Sequence, residues 1–513
     1  MHNDYGATSD EPIQIAYGEE VWNYLAGHET YFAFCNSPRV PANIDYYNPA
    51  LDLFCATLSH LFHADIYTVR HDVQGLLWMT MFLPVCALGR KIADKAGGWF
   101  AGLALMGMPG LFAHAFNNPK DLPLACAVIW LLYVSTSVAS TRHLKWFHAL
   151  KLGAAFGFVL LMRPGAWFLI VLVGLVPAAC LFRAWKFWKI HRRWPLKNFY
   201  RAFPICVAAA TIGWILMILP WPNAWHSPIM HPVASARLAA HFDEDYPVLL
   251  RGTIYHSEHL PWDYLASYLI LTLPLPFLAF LIWGHLIFFR KFRRSVSAAV
   301  TILGIGFLIW FPLTVFVILR PNIYDGMRHF LFMLPPIAVL IGVAAADIAM
   351  KRRTIVIQII IILLLLSAVP AMVRLHPYEV SYYNIIAGPN ATLHERYETD
   401  YWLSGYREAA EWINKRQAET NRPLHVLFVA GDFNNPVFNH YLDKRVKTAY
   451  VIPHDFSDKT LSPDFDFYVA PTRYSQWLNF PSNPIVHRIE RDGIFFMVIR
   501  GQPANPTPPP AGK

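Results

Sequence analysis

The chain of 513 residues is 55% hydrophobic and 15% charged, with 18 Trp and a formal net charge of +9. A soluble domain carries about a quarter charged residues, so this composition excludes one and indicates a polytopic membrane protein. The positive charge sits in short basic loops between apolar runs, where it reports topology, and it implies no nucleic-acid partner.

The first residues are polar and acidic and lack the apolar core of a signal peptide. The stretch DYGATSDEPIQIAYGEE carries Asp4, Asp10, Glu11, Glu19 and Glu20. In NPALDLFCATLSHLFHA, the residues Leu51, Phe54, Leu58, Leu61 and Phe62 recur at helical spacing. That pattern predicts an interfacial helix lying on the membrane. About ten spans follow, at 73–89, 98–116, 122–138, 147–162, 165–182, 204–220, 264–289, 297–319, 329–346 and 354–373. The run 147–182 is too long for one pass across a core of ~30 Å. MRPGAW breaks it at Arg163-Pro164 into two short passes.

Loop charge orients these spans. The loops 90–97, 139–151, 183–203, 290–296 and 347–353 hold 20 Lys and Arg, against 6 in 117–121, 163, 221–263 and 320–328. Positive loops stay inside, so the second set is expected outside the cytoplasm, together with residues 1–72 and everything after Arg374. An external start with no preceding span leads to the expectation of one more helix before Met1.

From about 376 the apolar runs shorten to strand length: LHVLFVA, TAYVI, FDFYVA and IFFMVI, with the helical YREAAEWINKRQAE before the first. This predicts a small external α/β domain over 376–502, after a membrane domain over 73–375. The ending PANPTPPPAGK, residues 503–513, is too rich in Pro to pack. Six cysteines form no CxxC pair. Cys86, Cys126, Cys180 and Cys206 lie in apolar runs, and Cys35 and Cys55 are the pair open to a disulfide if external.

The external loops gather polar groups on one side of the membrane. SDEP supplies Asp10 and Glu11; FNNPKDLPLA supplies Asn118, Lys120 and Asp121; MRPG supplies Arg163. RPNIYDGMRHF adds Arg320, Tyr324, Asp325, Arg328 and His329, and RLHPYE adds His376, Tyr378 and Glu379. Singly, each has a plain reading: a solvated acid pair, a helix start at Asp121, arginines reaching for headgroups. The loop 221–263 holds five histidines, and His256-x-x-His259 has spacing open to zinc. Together, cations and carboxylates at headgroup depth suit a substrate with an anionic phosphate and a hydroxyl to be deprotonated.

SDEP, NPKDLPLA and YDGMRHFLFMLPP, in this order, resemble membrane glycosyltransferases of the GT-C fold, nearest family 39, the protein-mannosyltransferase-like enzymes. HPYEVSYYNIIAG and RYETDYWLSGYREAAEWI resemble further stretches of bacterial members. The resemblance implies a polyprenyl-phosphate sugar donor, an extracytoplasmic glycan, protein or lipid acceptor, and transfer with inversion in a bacterial inner membrane, the site being periplasmic. It implies Asp10 as general base, Glu11 supporting it, and Asp121 as a second acid that orients the acceptor or helps hold a divalent cation, Mg or Mn. Arg328, Lys120, His329 and Arg163 become candidates for the lipid phosphate, in that order. Asn118, Tyr324, Asp325, His376 and Tyr378 become candidate substrate contacts. The family carries a helix before the acidic loop, which matches the expected helix upstream of Met1. A transporter of lipid-linked sugars or a non-catalytic binding protein are the competing readings.

Overall fold

The computed structural model describes residues 4–28, 43–240, 245–352, 354–430, 437–451 and 465–502. Cys35, His241 and the Pro-rich tail lie outside them. Eight helical stretches among the described residues are long and apolar enough to cross a membrane: Ile66–Met106, Asp121–Ser140, Pro164–His191, Lys197–Ile218, Leu275–Phe292, Val296–Leu319, Arg328–Arg352 and Ile355–Leu375. Phe147–Met162 is a shorter apolar helix beside them.

The first stretch folds back on itself. Asp94 takes φ 56° and ψ −158°, and the chain reverses there. Gly89 and Gly97 let the two arms touch backbone to backbone: a Cβ on Gly97 would lie 2.6 Å from the Gly89 carbonyl oxygen. Small residues permit such close helix approach in a membrane. The basic loop 90–97 is therefore a tight hairpin; the span expected at 73–89 lies in its first arm, while that expected at 98–116 is broken, its second arm ending at Met106 before a separate helix, Pro109–Asn117. Arg328–Arg352 is the central helix, with 94% of its apolar window buried. Gly342 packs directly on Ala101 of the returning arm.

Two expectations are corrected. The span 264–289 is two helices, Tyr264–Thr272 and Leu275–Phe292. Pro274 lacks an N–H and holds Leu273 extended (φ −86°, ψ 139°), as a residue before Pro prefers. The acidic stretch is not a loop: Glu11–Leu25 is helical, with Pro12 in its first turn. Its buried positions include Glu11, Gln14 and Gly18, so no apolar stripe marked it. Gly18 lies against the Asp52 backbone of Ala50–Phe62. That second helix leaves Phe54, Leu61 and Phe62 exposed, on the face expected to meet lipid.

Strands β1 (Pro247–Leu250) and β2 (Thr253–His256) form an antiparallel hairpin in the long loop. The C-terminal sheet uses β3 (His425–Val429), β4 (Lys447–Val451), β5 (Phe467–Pro471), β6 (Ile485–Arg491) and β7 (Ile494–Gly501), in the order β4-β3-β5-β7-β6. β3 runs parallel to β4 and β5, and β7 antiparallel to β5 and β6. The helix Tyr406–Ala418 packs beside this sheet through Tyr406, Ala409, Ala410 and Ile413. β6 was missed because its inward residues alternate with charges.

Candidate active site

Four segments far apart in sequence meet at one end of the bundle. The first is the start of Glu11–Leu25, where Asp10 is the N-cap residue. Its carboxylate lies 3.8 Å from Arg328 Nη1 and is 31% exposed. Glu11 does not share its direction. Residues adjacent at a helix start point about 100° apart, and Glu11 is turned inward and fully buried. Its Oε2 accepts the Thr8 N–H at 2.7 Å, and its Oε1 lies 3.3 Å from His71 Nε2 and 3.7 Å from Arg70 Nε. Burial alone would push the Glu11 carboxyl up, but the charges of His71 and Arg70 and the Thr8 N–H hold it below the usual carboxylate range. Arg70 also grips Asp52 at 2.8 Å and Gln14 at 2.5 Å. Asp10 faces the site, and Glu11 anchors the helix that presents it.

The second segment is the turn before Asp121–Ser140. Asn118 Oδ1 accepts the N–H of Lys120 and of Asp121, at 3.2 and 2.8 Å, and its amide donates to Asp121 Oδ2 at 3.2 Å. Asn118 thus satisfies donors the helix start leaves open. Asp121 Oδ1 accepts from Arg163 Nη2 at 2.5 Å. Arg163 is the extended break between Phe147–Met162 and the next turn, which is what frees its side chain to reach Asp121. Lys120 Nζ lies 4.5 Å over the ring of Tyr47.

The third segment leads into the central helix. Asp325 and Gly326 both take positive φ, 58° and 66°, and this tight turn brings Arg328 back toward Asp325 (Nε to Oδ2 3.3 Å). The Arg328 guanidinium is held 4.7 Å over the rings of both Tyr324 and Trp402. His329 meets Tyr324 edge on at 5.1 Å. Its Nδ1 has no hydrogen-bond partner among the described residues.

The fourth segment is C-terminal. Trp402 stacks on Arg328, its carbonyl accepts the Ser9 N–H at 3.1 Å beside Asp10, and Arg473 donates to Asp325 Oδ1 at 2.7 Å. Tyr401 bonds His114 Nε2 at 3.0 Å, and His114 bonds Asn118 at 3.1 Å. Sequence reasoning named none of Tyr47, His114, Tyr401, Trp402 and Arg473; Tyr401 and Trp402 lie in the quoted stretch RYETDYWLSGYREAAEWI, and no motif marks the other three.

An apolar cavity of about 400 Å³ opens beside this cluster. Arg163 and His329 stand at its polar edge, and Tyr46, Tyr47, Phe168, Leu169, Phe311 and Phe330 are among its walls. His376 and Tyr378 are elsewhere. His376 bonds Glu379 at 2.8 Å and Asp4 at 3.1 Å, and these contacts, Glu379 first, raise its pKa above the usual value. Tyr5 donates to Glu379 at 2.9 Å, and Tyr378 donates to Glu408 at 3.0 Å. These residues tie the N-terminal segment to the C-terminal domain.

The divalent cation does not fit the described residues. Among them no group of three or more His, Cys, Asp and Glu is placed to hold a metal ion. Asp121 is committed to Arg163 and Asn118, and Glu11 to Thr8, His71 and Arg70. His256 pairs with Asp245 at 2.5 Å, without a third ligand among the described residues.

The apolar helical bundle makes this an integral membrane protein, and its likeness to the following solved structures gives it the GT-C fold. Among solved structures it is similar to the oligosaccharyltransferase of Archaeoglobus fulgidus in the apo form, with a TM-score of 0.52 and 13% identity over 87% of this chain. The same enzyme tethered to an acceptor peptide containing an NVT sequon gives a TM-score of 0.50, 12% identity, 87% of this chain and 60% of that one. The chain spans 61% of the length of the apo enzyme. It is also similar to ArnT from Cupriavidus metallidurans in the apo state, with a TM-score of 0.49 and 14% identity over 97% of this chain and 94% of that one. No protein-family model and no curated protein matches the sequence.

Proposed function

We propose that this protein is a membrane glycosyltransferase, of the kind the family 39 resemblance implies. It moves a sugar from a polyprenyl-phosphate carrier to an extracytoplasmic protein, lipid or glycan, with inversion. The observation that supports this best is the convergence of Arg328, His329, Arg163 and Lys120 beside an apolar cavity, with Asp10 next to Arg328. Aromatic and aliphatic walls suit an isoprenoid tail, and a guanidinium fork with a neighbouring ammonium suits a phosphate. Asp10 accepts the proton of the acceptor hydroxyl as its oxygen attacks the anomeric carbon. The bond from that carbon to the phosphate oxygen breaks, and the polyprenyl phosphate leaves with its charge met by Arg328, Lys120 and Arg163. Asp121 fixes Arg163, and His329 offers its unpartnered ring nitrogen to a phosphate oxygen.

The test is binding of a short-chain polyprenyl phosphate to the purified protein in detergent. Arg328→Ala is expected to weaken it about ten- to a hundredfold, the worth of a charged hydrogen bond. Arg328→Lys should recover part of this, because an ammonium lacks the fork. A wild-type protein that ignores the probe sinks the reading.

The loop asymmetry of 20 against 6 supports a site outside the cytoplasm. Cysteines introduced into the loop 183–203 should be shielded from an impermeant thiol reagent in intact cells, and those at 245–263 should react. The opposite labelling would put the site in the cytoplasm and favour a soluble nucleotide-sugar donor.

A further inference from the structure

Arg328 belongs to the membrane bundle, yet the group that fixes its partner belongs to the C-terminal domain. Asp325 stands between two arginines. Its Oδ2 faces Arg328 Nε at 3.3 Å, and its Oδ1 accepts from Arg473 Nη2 at 2.7 Å. Asp325 is buried, and the side chains of Arg328 and Arg473 are 7% and 12% exposed. Arg473 is itself fixed: its Nη1 donates to the Tyr401 carbonyl at 2.7 Å. The residues after it, Tyr474 and Ser475, take φ 55° and 56°. Two consecutive left-handed residues without glycine are costly and persist only where their surroundings impose them.

We propose that Arg473 is a positioning residue for the Arg328 guanidinium, acting through Asp325. This rests on the reading of Arg328 as a ligand of the donor phosphate. A carboxylate with both oxygens free takes an arginine as a fork. Arg473 occupies one oxygen, so Asp325 meets Arg328 as an ion pair at Nε, 3.3 Å away and without a hydrogen bond, and Arg328 Nη1 is left facing Asp10. Without Arg473, Asp325 is free to draw the guanidinium onto both oxygens and away from the site. The C-terminal domain thereby sets the direction in which the membrane domain presents its phosphate ligand. Glu398 also faces Arg473, and burial pushes its carboxyl up to about 7. A purely structural Arg473 would act through that contact or through domain docking.

The experiment measures affinity for a short-chain polyprenyl phosphate in a double-mutant cycle on the full chain, with the melting temperature of each variant recorded. Arg473→Gln is expected to weaken binding about tenfold, in the range of coupling between contacting groups. In an Asp325→Asn background the same change should add little, because the carboxylate it acts through is gone. Arg473→Lys should restore part of the affinity, and it carries the same comparison should Arg473→Gln fail to fold. Glu398→Gln should leave affinity unchanged. Losses at Arg473 and Asp325 that multiply in the double variant overturn the proposal. So does an Arg473→Gln protein that binds normally while Arg328→Ala does not, and that outcome leaves the donor reading standing. A wild-type protein with no affinity for the probe removes both.

Discussion

Asp10→Asn is expected to lower sugar transfer by about 10²–10⁴-fold, the usual contribution of a general base, while affinity for the lipid phosphate changes little. The amide keeps the size of the carboxylate but takes no proton at neutral pH. The loss should approach the upper end because the acid beside it offers no replacement. Glu11 is fully buried, and its oxygens are taken by Thr8, His71 and Arg70. Glu19→Gln is the control: Glu19 lies in the same helix but pairs with His60 at 2.7 Å on the surface, so transfer should stay near wild type. Transfer is read from radiolabelled polyprenyl-phosphate sugars supplied to membranes. An active Asp10→Asn protein would move the base to Asp121, and equal losses at Asp10 and Glu19 would mean that the segment acts through bulk charge.

Arg70→Leu is expected to destabilise the folded protein by about 3–5 kcal/mol, the cost of leaving a buried charge without its partner. Arg70 is 1% exposed and holds Asp52 and Gln14 directly, with Glu11 3.7 Å away. Removing it leaves the largely buried Asp52 without its cation and takes one of three partners from Glu11. Replacing Asp52 with Leu in the same protein should recover part of the loss, because a pair deleted together costs far less than one deleted singly. Thermal unfolding in detergent measures both. A shift under about 1 kcal/mol, as for an exposed pair, would mean that water reaches this cluster.

The membrane bundle was legible because lipid demands long apolar runs, and the runs from 122–138 to 354–373 mark most of its helices. What the runs hid was interruption inside them. Leu273-Pro274 splits one apparent span, and its apolar flanks gave no sign of it. The helix Glu11–Leu25 was hidden for the opposite reason: its buried face mixes the polar Glu11 and Gln14 with Tyr17, Gly18 and Val21, so it shows no continuous apolar stripe. Asp121, Arg163 and Arg328 could be nominated because each sits beside a break or at a helix start. Their mutual pairing could not. Nor could the parting of Asp10 from Glu11, which follows from helical phase rather than residue type. Arg473 lies in no quoted motif, and the stretch around Trp402 gave it no role, since their partners lie about 150 and 75 positions earlier.

The segment before Asp10 is fastened almost entirely by late residues. Tyr5 reaches Glu379, Asp4 reaches His376, the Ala7 N–H reaches Tyr441 and the Ser9 N–H reaches Trp402. A polypeptide is made from its N-terminus, so these first residues wait through the synthesis of more than 370 others before their anchors exist. Asp10 follows directly on Ser9, so its backbone is held in part by the Trp402 carbonyl. The order of synthesis thus sets an order of assembly: the helices between these segments are made first, and residues 4–9 gain these contacts only after residues 376–441 have followed.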